Sequence, residues 1–257
     1  MLIVVEWLRK HNRKTKIIAM KKIILSTIII CTSFFTYAQK AIVNDANAEQ
    51  RSISGSFNSI RISGGIDLYL SQYETESIAV SASEEKYKDG IKTIVENQTL
   101  KIFYEGDRSW GGSNKKMKVY VSFKSLEKLQ ASGACDVQVA GIINVPSLHL
   151  QMSGASDFKG SVKSDNLTVE LSGSSDATIS GVANSISIQS TGASDFKGFD
   201  LVSNVCTAKA SGASDINITV NKEMSAQASG ASDISYKGNA VIKEQHASGA
   251  SSISKKG

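Results

Sequence analysis

Aspartates recur at a nearly constant interval along the second half of this 257-residue chain. Each lies 18 to 21 residues after the previous one. The six are Asp136, Asp157, Asp176, Asp195, Asp215 and Asp233. If each interval returns the chain to the same place, the carboxylates form a column with about 5 Å between neighbours. Charges that close repel by about 1 kcal/mol in water and by about 3.5 kcal/mol at an effective dielectric of 20, so the column needs a partner.

Two kinds of partner would relieve this repulsion. Oxygen ligands stacked along a β-solenoid suit calcium, which makes Asp157, Asp176, Asp195, Asp215 and Asp233 candidate metal ligands. Calcium-binding repeats of that kind have a nine-residue period, however, and one carboxylate per coil is few for an ion that takes six to eight ligands. Backbone N–H groups at a turn satisfy carboxylates without an ion. The sequence favours these hydrogen-bonded aspartates, with calcium as the alternative and no other cofactor indicated.

Catalysis needs an asymmetric cluster of groups, and the sequence indicates none. Glycoside hydrolysis uses two carboxylates at a set separation, whereas these aspartates recur identically. After residue 38 the arginines are Arg51, Arg61 and Arg108, all before the repeats, and His149 and His246 fall about five repeats apart. The sequence contains no P-loop, metal-spaced Cys/His cluster or nucleophile elbow. We therefore expect a non-enzymatic protein, with a carbohydrate-active enzyme as the least favoured alternative.

Aromatic residues in the first half of the chain offer a surface for binding. They are Tyr69, Tyr73, Tyr87, Tyr104, Trp110 and Tyr120. The tyrosines fall mostly in strand-like segments, where we expect core or rim positions. Trp110 lies in a Gly-rich, polar segment over residues 107–114 that predicts an exposed loop. Trp110 is therefore the candidate ligand-binding residue.

The aspartates belong to a longer motif, Ser-Gly-Ala-Ser-Asp, which occurs in seven related copies. Their glycines, separated by 21, 19, 19, 20, 18 and 19 residues, are Gly133, Gly154, Gly173, Gly192, Gly212, Gly230 and Gly249. Before each glycine apolar and polar residues alternate, as in Leu148, Leu150 and Met152. A period of two marks a strand with one buried face. The recurrence therefore predicts an all-β parallel β-helix with about 19 residues per coil.

The motif fits a corner of such a coil. Glycine permits a positive φ and a close approach of backbones, and Ser and Asp side chains satisfy turn N–H groups. Cys135 and Cys206 fall almost four coils apart, roughly 18 Å at the spacing of stacked strands, which is too far for a disulfide. We predict two free thiols, with Cys206 in the core. The inward pair before each glycine changes from Leu150 and Met152 to Gln245 and Ala247 in the last coil, so the C-terminal coils should fray first.

Residues 55–130 lack the regular motif but contain strand patterns. We predict strands over 59–63, 66–70, 77–81, 91–96, 100–104 and 117–123, and a charged connection, compatible with a short helix, over 84–89. These residues should form an irregular β-rich half that covers one end of the regular repeats over 131–257. A separate small β-domain is the alternative.

The first 38 residues predict export. Met20, Lys21 and Lys22 precede an apolar run over 23–35 that is shorter than the ~20 residues of a membrane span, and Ala38 suits cleavage. We assign a signal peptide to about 20–38, a start-site artefact or extended n-region to 1–19, and a linker to 39–54. The chain carries a net charge of +5, but the leader holds seven basic residues and one acidic residue. The remaining 22 basic and 23 acidic residues sum to −1, which excludes nucleic-acid binding driven by phosphate contacts.

Three features together resemble the head GIN-domain family over roughly residues 55–255. They are the Ser-Ile-Arg-Ile segment at 59–62, Gly64-Gly65-Ile66-Asp67, and the serial corner motif. The Gly-Ile-Asn tripeptide behind the family name has Asp67 in place of Asn, and residues 141–144 carry an extra isoleucine. The resemblance implies an autotransporter adhesin of Bacteroidetes-type bacteria with a right-handed parallel β-helix similar to pectin lyases.

From the residues and the resemblance we expect an exported interaction protein of the periplasm, the outer surface or the medium. It would bind a glycan or an extracellular protein through a repetitive face of the β-helix. It would bind no nucleic acid and keep no membrane span after leader removal. A structural envelope protein is the alternative.

Overall fold

The computed structural model of the protein describes residues 45–106 and 115–257. The predicted leader and Trp110 lie outside these residues. Within the two ranges seventeen strands form one continuous sheet, accompanied by one short helix, α1 (Glu85–Gly90). None of the helical segments in this part of the chain is long and apolar enough to cross a bilayer.

The strands of the first half match the predicted ones to within two residues at each end. They are β2 (Ser59–Ser63), β3 (Asp67–Gln72), β4 (Ser77–Ser81), β5 (Ile91–Glu96), β6 (Thr99–Tyr104) and β7 (Lys118–Phe123). Helix α1 occupies the charged connection. A short strand, β1 (Glu49–Arg51), lies within the segment assigned to a linker and pairs antiparallel with β4.

The second half is a parallel β-solenoid, which confirms the predicted fold class. Its strands are β8 (Lys128–Gly133), β9 (Asp136–Asn144), β10 (Ser147–Gly154), β11 (Asp157–Leu171), β12 (Ala177–Gly192), β13 (Asp195–Gly212), β14 (Asp215–Gly230), β15 (Asp233–Lys237), β16 (Val241–Gly249) and β17 (Ser252–Lys255). Strands β11 to β14 are 15 to 18 residues long because pairing continues around each coil; β11 ends at Leu171, and the other three end at the next corner glycine. Equivalent residues of successive coils pair in register, as Leu148 does with Leu167 and Phe158 with Ala177.

The core follows from this register, because matching apolar residues stack once per coil. One column comprises Val137, Phe158, Ala177, Phe196, Ile216 and Ile234, all buried, and ends at the half-buried Ile253. The burial does not extend through the last coil. Gln245 and Ala247, which pair with the buried Ala226 and Ala228, are exposed.

The coils of the first half do not stack in chain order. Strand β2 lies between β6 and β8, and β3 lies between β7 and β9, all in parallel. The coil of β6 and β7 is therefore outside the coil of β2 and β3, although it follows that coil in the chain. Antiparallel strands border this end, with β5 beside β6 and β4 beside β7. The pairing of β2 with β8 joins the two halves into one sheet.

Candidate functional site

Each Ser-Gly-Ala-Ser-Asp segment forms a tight turn, called here the glycine corner, against the corner of the preceding coil. Gly192 has a φ of +88°, and a Cβ placed on it would lie 2.5 Å from the Gly173 oxygen. The next amide, Ala193 N–H, donates to that same oxygen at 2.7 Å, and this bond recurs between all the stacked corners. Only glycine permits both the conformation and the approach. The corner glycines therefore have a structural role.

The fourth residue of each corner forms a buried column of hydroxyl groups. In one coil the Ser194 hydroxyl accepts a hydrogen bond from the Ser175 N–H at 3.3 Å and donates to the Thr191 oxygen at 3.1 Å. The fully buried members are Cys135, Ser156, Ser175, Ser194, Ser214 and Ser232. Sequence reasoning assigned these serines a general turn role but did not identify the column. The available signal was a serine that recurs at a position which the alternation of inward and outward residues assigns to the core.

The candidate metal ligands lie one residue further, at the outer side of the same corner. The Asp176 carboxylate accepts the Asp195 N–H at 3.1 Å, and Asp157, Asp215 and Asp233 bind the next coil in the same way at 3.1–3.3 Å. Lys197 donates to Asp176 at 2.6 Å and lies 3.5 Å from Asp195. The hydrogen bond to Asp176 is the main reason that the pKa of Lys197 is raised.

Four of the aspartates thus accept a backbone N–H of the next coil, which is the kind of partner that the favoured interpretation of the sequence predicts. In the described part of the chain, no three His, Cys, Asp or Glu side chains come together as a metal site would need. A calcium ion in this column stays the alternative prediction.

Polar side chains cover the outer side of the strands that precede each corner. We call this surface, formed by two columns in register, the polar face. One column is His149, Thr168, Ser187, Thr207 and Ser225; the other is Gln130, Gln151, Glu170, Gln189, Lys209, Gln227 and His246. Partners within it include Gln130 with Gln151 at 2.6 Å and His149 with Glu170 at 3.3 Å. His149 and His246 share this face but are five coils apart.

A concave surface of about 600 Å³ lies half a coil away from the glycine corners. Three consecutive residues from each of four coils line this lateral groove: 144–146, 163–165, 182–184 and 202–204. The middle residue of each triplet is buried, whereas its neighbours face outward. Val182 and Val202, 48% and 38% exposed, stack in register, and Asn204 donates to Asn184 at 2.9 Å. Sequence reasoning missed this groove, and the available signal was the recurrence of valine at an outward position.

The two cysteines lie on different columns of the solenoid. Cys206 stacks between Ile186 and Met224, whereas Cys135 occupies the serine position of the first corner. Both thiols are free and buried. Burial raises the pKa of Cys206 to about 12 and also raises that of Cys135.

The tyrosines are mostly part of the framework. Tyr87 and Tyr104 are buried, and Tyr69 stacks on Tyr120 with 5.0 Å between ring centroids. The Tyr120 hydroxyl donates to Asp45 at 2.8 Å. Burial and this bond raise the pKa of Tyr120. Tyr73 is the more exposed member, at 38%.

Comparison with known protein families assigns this chain to one of them. Residues 56–240, more than two thirds of the chain, match the family described as "Putative auto-transporter adhesin, head GIN domain". The chain belongs to the head GIN-domain family. The resemblance inferred from the corner motif is thereby confirmed.

Solved structures share the fold. A "putative adhesin" from Bacteroides fragilis is similar, with a TM-score of 0.75 at 21% identity over 81% of this chain and 96% of that one. A "putative adhesin" from Parabacteroides distasonis has a TM-score of 0.65 at 18% identity, over 81% and 96%. A "putative lipid binding protein" from the same species has 0.63 at 23% identity, over 83% and 98%. At these identities the likeness shows the head GIN-domain fold alone. Comparison with curated proteins found no match.

Proposed function

We propose that the protein is an exported, non-enzymatic adhesin of the cell surface, which binds a glycan or an extracellular protein through the outside of its solenoid. Membership of a family described as autotransporter adhesins supports both the export and the adhesive role. The observation that carries the proposal is the in-register repetition of outward polar side chains over successive coils.

Repetition suits binding to an elongated partner. A ligand that lies along the solenoid axis meets an outward polar side chain about every 4.8 Å. Single hydrogen bonds contribute only about 0.5–1.5 kcal/mol net, so affinity has to be accumulated over many coils. A solenoid provides this because its surface is extended and each coil contacts only its neighbours.

The arrangement of ionisable groups supports a non-enzymatic role. His149 has Glu170 at 3.3 Å, but His246 is five coils away, and four of the six corner aspartates accept a backbone N–H group. Catalysis would need a general acid and a general base within reach of one substrate. The corners instead repeat one backbone arrangement from coil to coil.

The experiment has two parts. Immunolabelling of intact cells should detect the protein at the outer surface, and the purified full chain should bind members of a panel of glycans and matrix proteins. Protein confined to the periplasm, with no binding to the panel, would favour a structural envelope role, and turnover of a polysaccharide would indicate an enzyme. Trp110→Ala tests the predicted ligand-binding residue, since unchanged affinity would remove Trp110 from the site.

A further inference from the structure

The lateral groove has the dimensions of a ligand site. Its volume of about 600 Å³ falls within the ~300–1,000 Å³ of small-molecule pockets. Four coils contribute to it, so its lining repeats over roughly 14 Å along the solenoid axis at the ~4.8 Å spacing of stacked strands. This shape admits a thin, extended ligand parallel to the axis.

One wall of the groove presents groups that bind hydroxyls. It consists of Pro146, Asp165, Asn184 and Asn204. The Asn204 amide nitrogen donates one hydrogen bond to the side-chain oxygen of Asn184. Within the described residues the amide nitrogen of Asn184 and the amide oxygen of Asn204 have no partner, so a donor group and an acceptor group remain one coil apart. An amide offers both roles at once, as a hydroxyl ligand requires.

The opposite wall of the groove is apolar in the two coils that contain Asn184 and Asn204. Val182 and Val202 face outward there, across the triplet from Asn184 and Asn204. In the adjacent coil Lys163 and Asp165 flank the groove with opposite charges, so the lining has no net charge. A polyanion or an anionic headgroup therefore gains no electrostatic attraction here.

We infer that the lateral groove binds an uncharged, linear glycan, with sugar hydroxyls on Asn184 and Asn204 and the C–H faces of the rings on Val182 and Val202. This inference rests on the proposed function and names the site and the ligand class. Sugar rings combine apolar faces with a rim of hydroxyls, and the lining offers both at the coil spacing.

Other ligand classes fit less well. A polypeptide added as a strand needs a free sheet edge, but the backbones of the triplets 163–165, 182–184 and 202–204 pair with coils on both sides. An acyl chain needs an enclosed apolar cavity, whereas charged and amide groups line this groove. The coil spacing is also close to the length that one sugar adds to an extended chain.

The test uses the full chain and β-linked glucose oligomers of two to six units, measured by isothermal titration calorimetry. The double variant Asn184→Ala/Asn204→Ala and, separately, Val182→Glu should each weaken binding at least tenfold. The matched control is Thr178→Ala, a truncation of an exposed residue of the same coil that belongs neither to the groove nor to the polar face, and it should change affinity less than twofold. Circular dichroism checks that each variant is folded. Affinity should rise with chain length and level off when the oligomer spans the four coils.

The outcomes separate this inference from the proposed function. Binding that survives both groove variants would overturn the groove assignment and leave the adhesin proposal intact. A preference for heparin, for an unstructured peptide or for anionic lipid vesicles over the neutral oligomers would overturn the ligand class. Binding to none of these and to no glycan or matrix protein would overturn both proposals.

Discussion

Alanine at Gly192 is expected to disrupt the stacking of two adjacent coils. The added Cβ would lie 2.5 Å from the Gly173 oxygen and 3.1 Å from the Gly173 nitrogen, both backbone atoms that cannot rotate away. The same oxygen accepts the Ala193 N–H at 2.7 Å, so relief of the clash would stretch a bond that every corner makes. Gly192 also has a φ of +88°, which alanine adopts only with strain.

The magnitude follows from these two costs. The left-handed conformation costs roughly 1–2 kcal/mol, and overpacking against a backbone that has to move adds about 1–3 kcal/mol. Alanine offsets roughly 0.4–1 kcal/mol of this loss because it lowers the conformational entropy of the unfolded chain. The free energy of unfolding should therefore fall by about 2–4 kcal/mol.

Gly141 provides the matched control. Its φ is +83°, but nothing lies within 4 Å of an added Cβ, so Gly141→Ala carries the conformational cost without the clash. We expect a loss of about 1.5 kcal/mol or less there. Urea unfolding followed by far-UV circular dichroism measures both variants, and amide exchange at Ala193 should accelerate in Gly192→Ala alone. Equal losses in the two variants would refute the close-approach reasoning.

Four further predictions concern the coils and corners. Burial raises the pKa of the Cys206 thiol from 9.0 to about 12, so the folded state binds this proton more tightly than the unfolded state does. The contribution of this proton to the free energy of unfolding is complete below pH 9.0. It is lost as the pH rises towards 12, at about 1.4 kcal/mol per pH unit. Cys206→Ala should flatten that loss in urea titrations, and an unchanged slope would contradict it. Amides of β16 should exchange faster than those of β11 because the last coil is exposed; the reverse order would refute the fraying prediction. Asp176→Asn keeps an acceptor for the Asp195 N–H and loses the Lys197 ion pair, so the free energy of unfolding should fall by less than about 1 kcal/mol, and a larger loss in urea unfolding would contradict this. Chelation should leave the melting temperature unchanged, and a marked drop would show that calcium binds the aspartate column.

The repeat was readable from the sequence because each coil contacts mainly its neighbours. A residue that packs well in one coil is therefore selected at the same position in the next, which places Phe158, Ala177 and Phe196 in one column at a constant interval. The positive φ of Gly192 could be predicted for the same reason, because a glycine recurs once per coil at the position where the backbones of adjacent coils approach closely.

The groove and the serine column were not predicted because both depend on relations between coils. Ser194 is polar in sequence yet fully buried, and only its bonds to Ser175 and Thr191 explain why burial is tolerated. Nothing in the local sequence marks Val182 and Asn184 as binding residues. Only the register between coils places them beside Val202 and Asn204. Concavity is a property of four adjacent coils together, so a single repeat does not contain it.

The sequence alone determined the β-class, the period of the coils, the strands of both halves and the corners that join them, because those features depend on local alternation and on nearest-neighbour stacking. Tertiary structure decided where the coil of β6 and β7 lies. It stacks outside β2 and β3, against chain order, because a strand can pair at any free edge of a growing sheet. No local pattern in the chain specifies which edge is free, so that choice is made only when the whole sheet assembles.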